Sequence, residues 1–154
     1  MTGPAVIGYD GSPAAKQAVN RSASVLATTR ALVVVVWEPG LAYELVQPDV
    51  LPAPIDIRAA MEVDRAMYDQ ARRLASEGAT LAREVGFVDV EAIAVADRGT
   101  VAATLIRLVS ERAAPAVVAG THGHKGLRAL LGSTTRDLIE HSPCPVLVTR
   151  ATTT

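Results

Sequence analysis

Apolar residues fall along this chain in two patterns, short continuous runs and stripes at helical spacing. Ala5-Val6-Ile7-Gly8-Tyr9 is a short apolar run and reads as a first strand, ended by Asp10-Gly11-Ser12-Pro13. Ser12 suits an N-cap and Pro13 the first helical position. Ala15, Ala18, Val19, Ala23 and Leu26 then mark one helix face. Leu32 to Trp37 is continuous, rich in valine and too short for a typical helix, so it predicts a second strand. Pro39, Pro48, Pro52 and Pro54 forbid a regular element over 39–54. A loop of that length serves as a lid or interaction segment, or is a tolerated surface insertion. Arg58 to Val85 carries an apolar stripe of Met61, Tyr68, Ala71, Leu74, Leu81 and Val85, and Gly86 comes next as a helix stop. Val88 to Val95 alternates as a third strand, and Thr100 caps a helix with Leu105, Ile106 and Val109 on its apolar side. Pro115 introduces a fourth apolar run, Ala116-Val117-Val118-Ala119. A helix over Arg136-Asp137-Leu138-Ile139-Glu140 is stopped by Pro143-Cys144-Pro145, and Val146-Leu147-Val148 is the fifth strand.

Five apolar strands alternating with four helices imply an α/β fold, a single doubly wound parallel sheet with helices on both faces. One domain over 1–150 and a short tail over 151–154 are expected. Ligands of such sheets bind at the carboxyl ends of the strands, beside the topological switch point. Asp10, Val36-Trp37 and Gly120 all lie at such ends.

Composition narrows the choice of partners. The net charge of −1 gives no global attraction to nucleic acid or to an anionic membrane. No apolar run reaches the roughly 20 residues that span a bilayer. Met1-Thr2-Gly3-Pro4 lacks a basic and apolar signal segment. The single cysteine, Cys144, excludes an internal disulfide and fits a reducing compartment, so a cytoplasmic location is expected.

The candidate chemistry lies between the fourth strand and the last helix. Gly120-Thr121-His122-Gly123 and Gly132-Ser133-Thr134-Thr135 place clustered glycines and hydroxyls before a helix N-terminus. Glycine tolerates the backbone conformations that turn successive N–H groups toward one point, and the helix end adds free donors. The arrangement suits a phosphate, although a plain strand-to-helix turn has the same outline. It is no Walker A loop, since Gly132 is followed by Ser133 without a lysine. Asp10 reads equally as a turn cap or as a ligand contact. His122 and His124 lack an evident third metal ligand, so no metal site is assigned, and no catalytic residue is either.

Taken together, these segments resemble the nucleotide-binding universal stress proteins. Val6-Ile7-Gly8-Tyr9-Asp10-Gly11-Ser12 is similar to the family's first strand and turn, and Pro143-Cys144-Pro145-Val146-Leu147-Val148 to its last strand. Gly120-Thr121-His122-Gly123 with Gly132-Ser133 resembles its G-x2-G-x9-G-[ST] motif. The resemblance implies strand order 3-2-1-4-5, the adenine nucleotide alpha hydrolase-like (Rossmann-like) arrangement. It also implies a homodimer joined through the fifth strand, and ATP, with or without magnesium, across the carboxyl edge. Carried over by residue, Gly8, Tyr9 and Asp10 would line adenine and ribose, and Val36 would offer adenine its backbone. Gly120, Thr121, His122 and Gly123 would meet phosphate and ribose, and Gly132, Ser133, Thr134 and Thr135 a second phosphate segment. One departure is a spacer of eight residues, His124 to Leu131, where the family has nine. In a helix, one missing residue would rotate all downstream residues by about 100°; in a loop, the change can be absorbed.

The function implied is an adenine-nucleotide-binding regulatory protein of the stress response, read by an unknown protein partner. The alternatives are a dimeric interaction module with a vestigial pocket, or a weak ATPase.

Overall fold

The computed structural model describes residues 3–40, 57–97, 99–121 and 132–151. Among the described residues, five strands alternate with four helices. They are β1 (Ala5–Gly8), α1 (Pro13–Val25), β2 (Arg30–Trp37), α2 (Ile57–Glu84), β3 (Asp89–Ala96), α3 (Val101–Glu111), β4 (Val117–Gly120), α4 (Ser133–His141) and β5 (Val146–Thr149). The strands form one parallel sheet in the order β3-β2-β1-β4-β5, the order that the resemblance implies.

The continuous apolar runs arise from burial on both faces. Successive β2 side chains enter opposite cores. Ala31, Val33 and Val35 join Ile7 and Tyr9 beneath α1 and α2, whereas Leu32 and Val34 join Val6 beneath α3 and α4. The α1–α2 layer is built from small residues. Ala71, Ala75, Ala79 and Ala82 of α2 are all at most 3% exposed, which brings the helix backbone close to the sheet. At Gly78 the approach is closer still: a Cβ there would lie 2.8 Å from Val33 Cγ1 and 2.9 Å from Tyr9 Cδ1.

Several boundaries differ from the sequence pattern by a residue or more, and three of them have a visible cause. β2 begins at Arg30, before its apolar run, because Arg30 pairs in register with Asp89 of β3 and its Nε donates to the Asp89 carboxylate at 2.9 Å. β1 stops at Gly8, although the Tyr9 N–H still donates to the Val34 carbonyl at 2.9 Å. Most consequential, α4 begins at Ser133, not at Arg136, because the Arg136 N–H already reaches the Gly132 carbonyl at 3.0 Å. Ser133, Thr134 and Thr135 therefore form the first turn of a helix. Of the proline-rich segment over 39–54, residues 41–54 lie outside the described residues. No helix among the described residues is long and apolar enough to cross a membrane.

Candidate functional site

The crossover through α1 carries the chain from β1 to β2 on one side, and the crossover through α3 returns it to β4 on the other. The carboxyl ends of β1 and β4 therefore part at a switch point, where a crevice is expected. A cavity of about 140 Å³ lies there. Gly8, Val34, Val36, Ala119 and Gly120 line it from the strands, Tyr9 and Asp10 from the turn after β1, Ala15 from α1, Val101 and Leu105 from α3, and Thr134 and Thr135 from α4. Beside it, sharing Asp10, Val36 and Val101 as walls, opens a cleft of about 600 Å³ dominated by Trp37, Val63, Met67 and Leu74. The inner cavity alone is smaller than the roughly 300–1,000 Å³ usual for ligand sites, but the adjoining cleft extends it.

Local chemistry fixes the Asp10 wall. The Asp10 carboxylate accepts the Ser12 N–H at 2.9 Å, and Ser12 Oγ caps α1 by accepting the Ala15 N–H at 3.1 Å. Between them Gly11 takes φ 78°, in the left-handed region where a side chain is strained. Asp10 is exposed and is the one charged residue among the described lining of the inner cavity.

Opposite, the first turn of α4 brings backbone donors that have no partner within the helix. Its N-cap is Gly132, which offers no side chain to satisfy them. Thr134 is half-buried and Thr135 is buried, and both reach the cavity. Ser133 is exposed and is not part of the described lining.

The predicted site residues thus divide. Gly8, Tyr9, Asp10, Val36, Gly120, Thr134 and Thr135 meet at one cavity. Gly132 stands next to it as the helix cap. Thr121 is turned toward β5, where its N–H donates to the Thr149 carbonyl at 2.8 Å, so that donor is spent on the sheet. His122, Gly123 and the spacer 124–131 lie outside the described residues. Gly120 has a different reason to be glycine than the one its loop suggests. A Cβ there would lie 2.4 Å from the Ala14 carbonyl carbon and 2.7 Å from the Ala15 nitrogen. It is close passage of β4 against α1, not positive φ, that excludes a side chain.

Tyr9 contributes in a way its type does not suggest. Its ring is 4% exposed and sits in the core beneath α1 and α2, the side of the sheet away from Val34 and Leu105. Its hydroxyl donates to Glu77 Oε1 at 2.5 Å, and Lys16 Nζ stands 3.6 Å from the same oxygen. Burial, then the bond to Glu77, pushes the Tyr9 hydroxyl well above the usual tyrosine range. The bond from Tyr9 in turn holds the Glu77 carboxyl below its ordinary value.

Sequence reasoning placed Trp37 at a strand end but missed the rest of the apolar wall: Ala15, Val34, Val101, Leu105 and Ala119, with Val63 and Met67 outside it. The available signal was α2, whose first half carries Val63 and Met67 beyond the stripe needed for packing. At the far end of α4, Asp137, Glu140 and His141 gather their polar atoms within 4.8 Å. The spacing i, i+3, i+4 does this on any helix face.

The family model described as "Universal stress protein family" matches residues 1–150. Among curated proteins no sequence matches. Solved structures share the fold. A universal stress protein from Lactobacillus plantarum is 17% identical, with a TM-score of 0.66, covering 97% of this chain and 99% of that one. One from Archaeoglobus fulgidus, in complex with dAMP, is 20% identical with a TM-score of 0.61, covering 95% and 96%. A family protein from Arabidopsis thaliana with AMP bound is 15% identical with a TM-score of 0.59, covering 97% and 92%.

Proposed function

This chain belongs to the universal stress protein family, and we propose that within it the chain binds an adenine nucleotide in the cavity at the carboxyl ends of β1, β2 and β4. One observation carries the proposal. At the switch point, a carboxylate (Asp10) and an apolar wall (Val34, Val36, Val101, Leu105) face the uncapped N-terminus of α4 across a single cavity. The first two suit a ribose and a base, and the third suits a phosphate. Relatives with dAMP and AMP bound make a nucleotide the natural class of ligand.

In this reading Asp10 accepts hydrogen bonds from ribose or base, and the backbone of Val36 meets the adenine edge. Gly120 lets β4 and α1 close on each other, and Thr134 and Thr135 bring donors to the phosphate. His122, Gly123, Gly132 and Ser133 complete the phosphate side, as the motif implies. ATP is the proposed physiological ligand. A magnesium ion accompanying it would rest on phosphate oxygens and water, the usual mode for that ion, because Asp10 is the sole carboxylate of the described lining.

The proposed role is regulatory. Ligand occupancy alters the carboxyl edge of the sheet, and a homodimer built on β5 presents that change to a protein partner in the cytoplasm. Residues 1–150 act as one nucleotide-binding domain. Isothermal titration of the purified chain with AMP and ATP tests the binding. Saturable uptake by the parent, weakened by Asp10→Ala, supports it, and absence of uptake of either nucleotide refutes it.

A further inference from the structure

The Tyr9–Glu77 bond joins the residue after β1 to the last third of α2, on the α1–α2 face of the sheet, and the residue it holds is the immediate neighbour of Asp10. We propose that Tyr9 and Glu77 are a positioning pair that sets the Asp10 turn for its ligand from behind the sheet. This rests on the reading that Asp10 contacts an adenine nucleotide.

Three features favour that role over plain packing. Gly11 comes directly after Asp10 with a positive φ, and glycine restrains its own backbone poorly. Beyond the bond from the Ser12 N–H to the Asp10 carboxylate, the turn is held from its two ends. At the far end, Ser12 is fixed by capping α1. At the near end stands Tyr9, whose N–H is held by the Val34 carbonyl and whose hydroxyl is held by Glu77. Any backbone rotation at Tyr9 swings the Asp10 carboxylate.

The second feature is the cost of the geometry. Glu77 reaches the hydroxyl because the next residue, Gly78, lets α2 lie against the Tyr9 ring at a distance that excludes even a Cβ. The third is Lys16 on α1, which approaches the same Glu77 oxygen at 3.6 Å. Glu77 thus ties β1, α1 and α2 at one point. The hydroxyl is dispensable for packing: a phenylalanine would fill the same core volume. The orientation of the turn depends on the bond, which Tyr9→Phe removes without emptying the core.

A double-mutant cycle read by isothermal titration with AMP tests this. Tyr9→Phe is expected to lower AMP affinity roughly three- to tenfold, the scale of one net hydrogen bond. Glu77→Ala should lower it to a similar degree, and the double variant no further, because the two residues act as one unit. Glu77→Gln, which keeps an acceptor oxygen, should retain nearly all of the affinity. In the nucleotide-free protein, hydrogen exchange at the Ser12 amide should be faster in Tyr9→Phe than in the parent, a readout independent of any ligand. If the parent binds AMP, Asp10→Ala loses it, and Tyr9→Phe and Glu77→Ala bind as the parent does, the positioning pair is overturned and the binding site stands. Fully additive losses would overturn it too, since the residues would then act separately. A parent that binds neither AMP nor ATP removes the binding site and the positioning pair together.

Discussion

Gly120 passes so close to Ala14 that a Cβ added at Gly120 would lie 2.6 Å from the Ala14 carbonyl oxygen. The same carbonyl lies 3.4 Å from Thr149 Oγ1, so the first turn of α1 is wedged against the ends of β4 and β5. The first glycine of the glycine-rich motif is thus a packing residue. Gly120→Ala should cost about 1–3 kcal/mol of stability, the usual range for overpacking. Thermal unfolding followed by circular dichroism should show a midpoint lower by several degrees. An unchanged midpoint would mean that α1 shifts freely, and the close passage would not matter.

Asp10→Ala should separate ligand contact from turn capping. Loss of hydrogen bonds to a charged group is worth about 1.5–3 kcal/mol, or roughly ten- to 150-fold in nucleotide affinity. The lost bond to the Ser12 N–H adds a smaller drop in stability. A variant with a lower melting temperature but the parent's affinity would leave Asp10 as a turn cap alone.

Much of this was legible in the sequence. Doubly buried strands leave continuous apolar runs, so Leu32 to Trp37 announced β2, and Ser12-Pro13 announced the start of α1. The start of α4 was not legible. Ser133, Thr134 and Thr135 favour caps and turns by propensity, and only the carbonyl of Gly132 meeting the Arg136 N–H shows them to be helical. Nor could the residue type of Tyr9 tell which face it occupies. Its alternation with Gly8 and the gap left by Gly78 decide that, and both depend on where α2 lies. The apolar cavity wall was hidden because Val34, Val101 and Leu105 look like core residues, and they are core residues that end at a cavity.

Stability should depend on alkaline pH through Tyr9. Burial and the Glu77 bond raise its hydroxyl above the ordinary value of about 10. The folded state favours the protonated phenol, so this contribution is complete below pH 10 and is lost as pH rises through the folded value. Urea midpoints of the parent should therefore fall relative to those of Tyr9→Phe above about pH 10. Between pH 7 and 9 the difference between the two should stay constant. Parallel pH profiles across the alkaline range would show that the hydroxyl ionises as freely folded as unfolded.

The β5 edge predicts a two-fold assembly. Val117 N–H bonds the Pro145 carbonyl, and Thr121 N–H bonds the Thr149 carbonyl. This register turns the backbone groups of Leu147 toward β4 and leaves those of Val146 and Val148 on the open side. An apolar strand edge invites pairing with a second copy, and light scattering should give about twice the 16.1 kDa chain mass. Val148→Pro removes an outward N–H without touching the β4 ladder, and should yield monomers. A parent that stays monomeric at tens of micromolar would contradict the β5 dimer.

Occupancy of the cavity between Asp10 and the start of α4 by an adenine nucleotide is tested most directly by amide NMR of the labelled chain titrated with AMP. The amides of Gly8, Asp10, Val36, Gly120, Thr134 and Thr135 should shift together and saturate on one binding curve. No shift at millimolar AMP or ATP would contradict nucleotide binding. Shifts confined to the separate groove lined by Val95, Ala96, Thr104 and Arg107 would contradict its placement at the switch point.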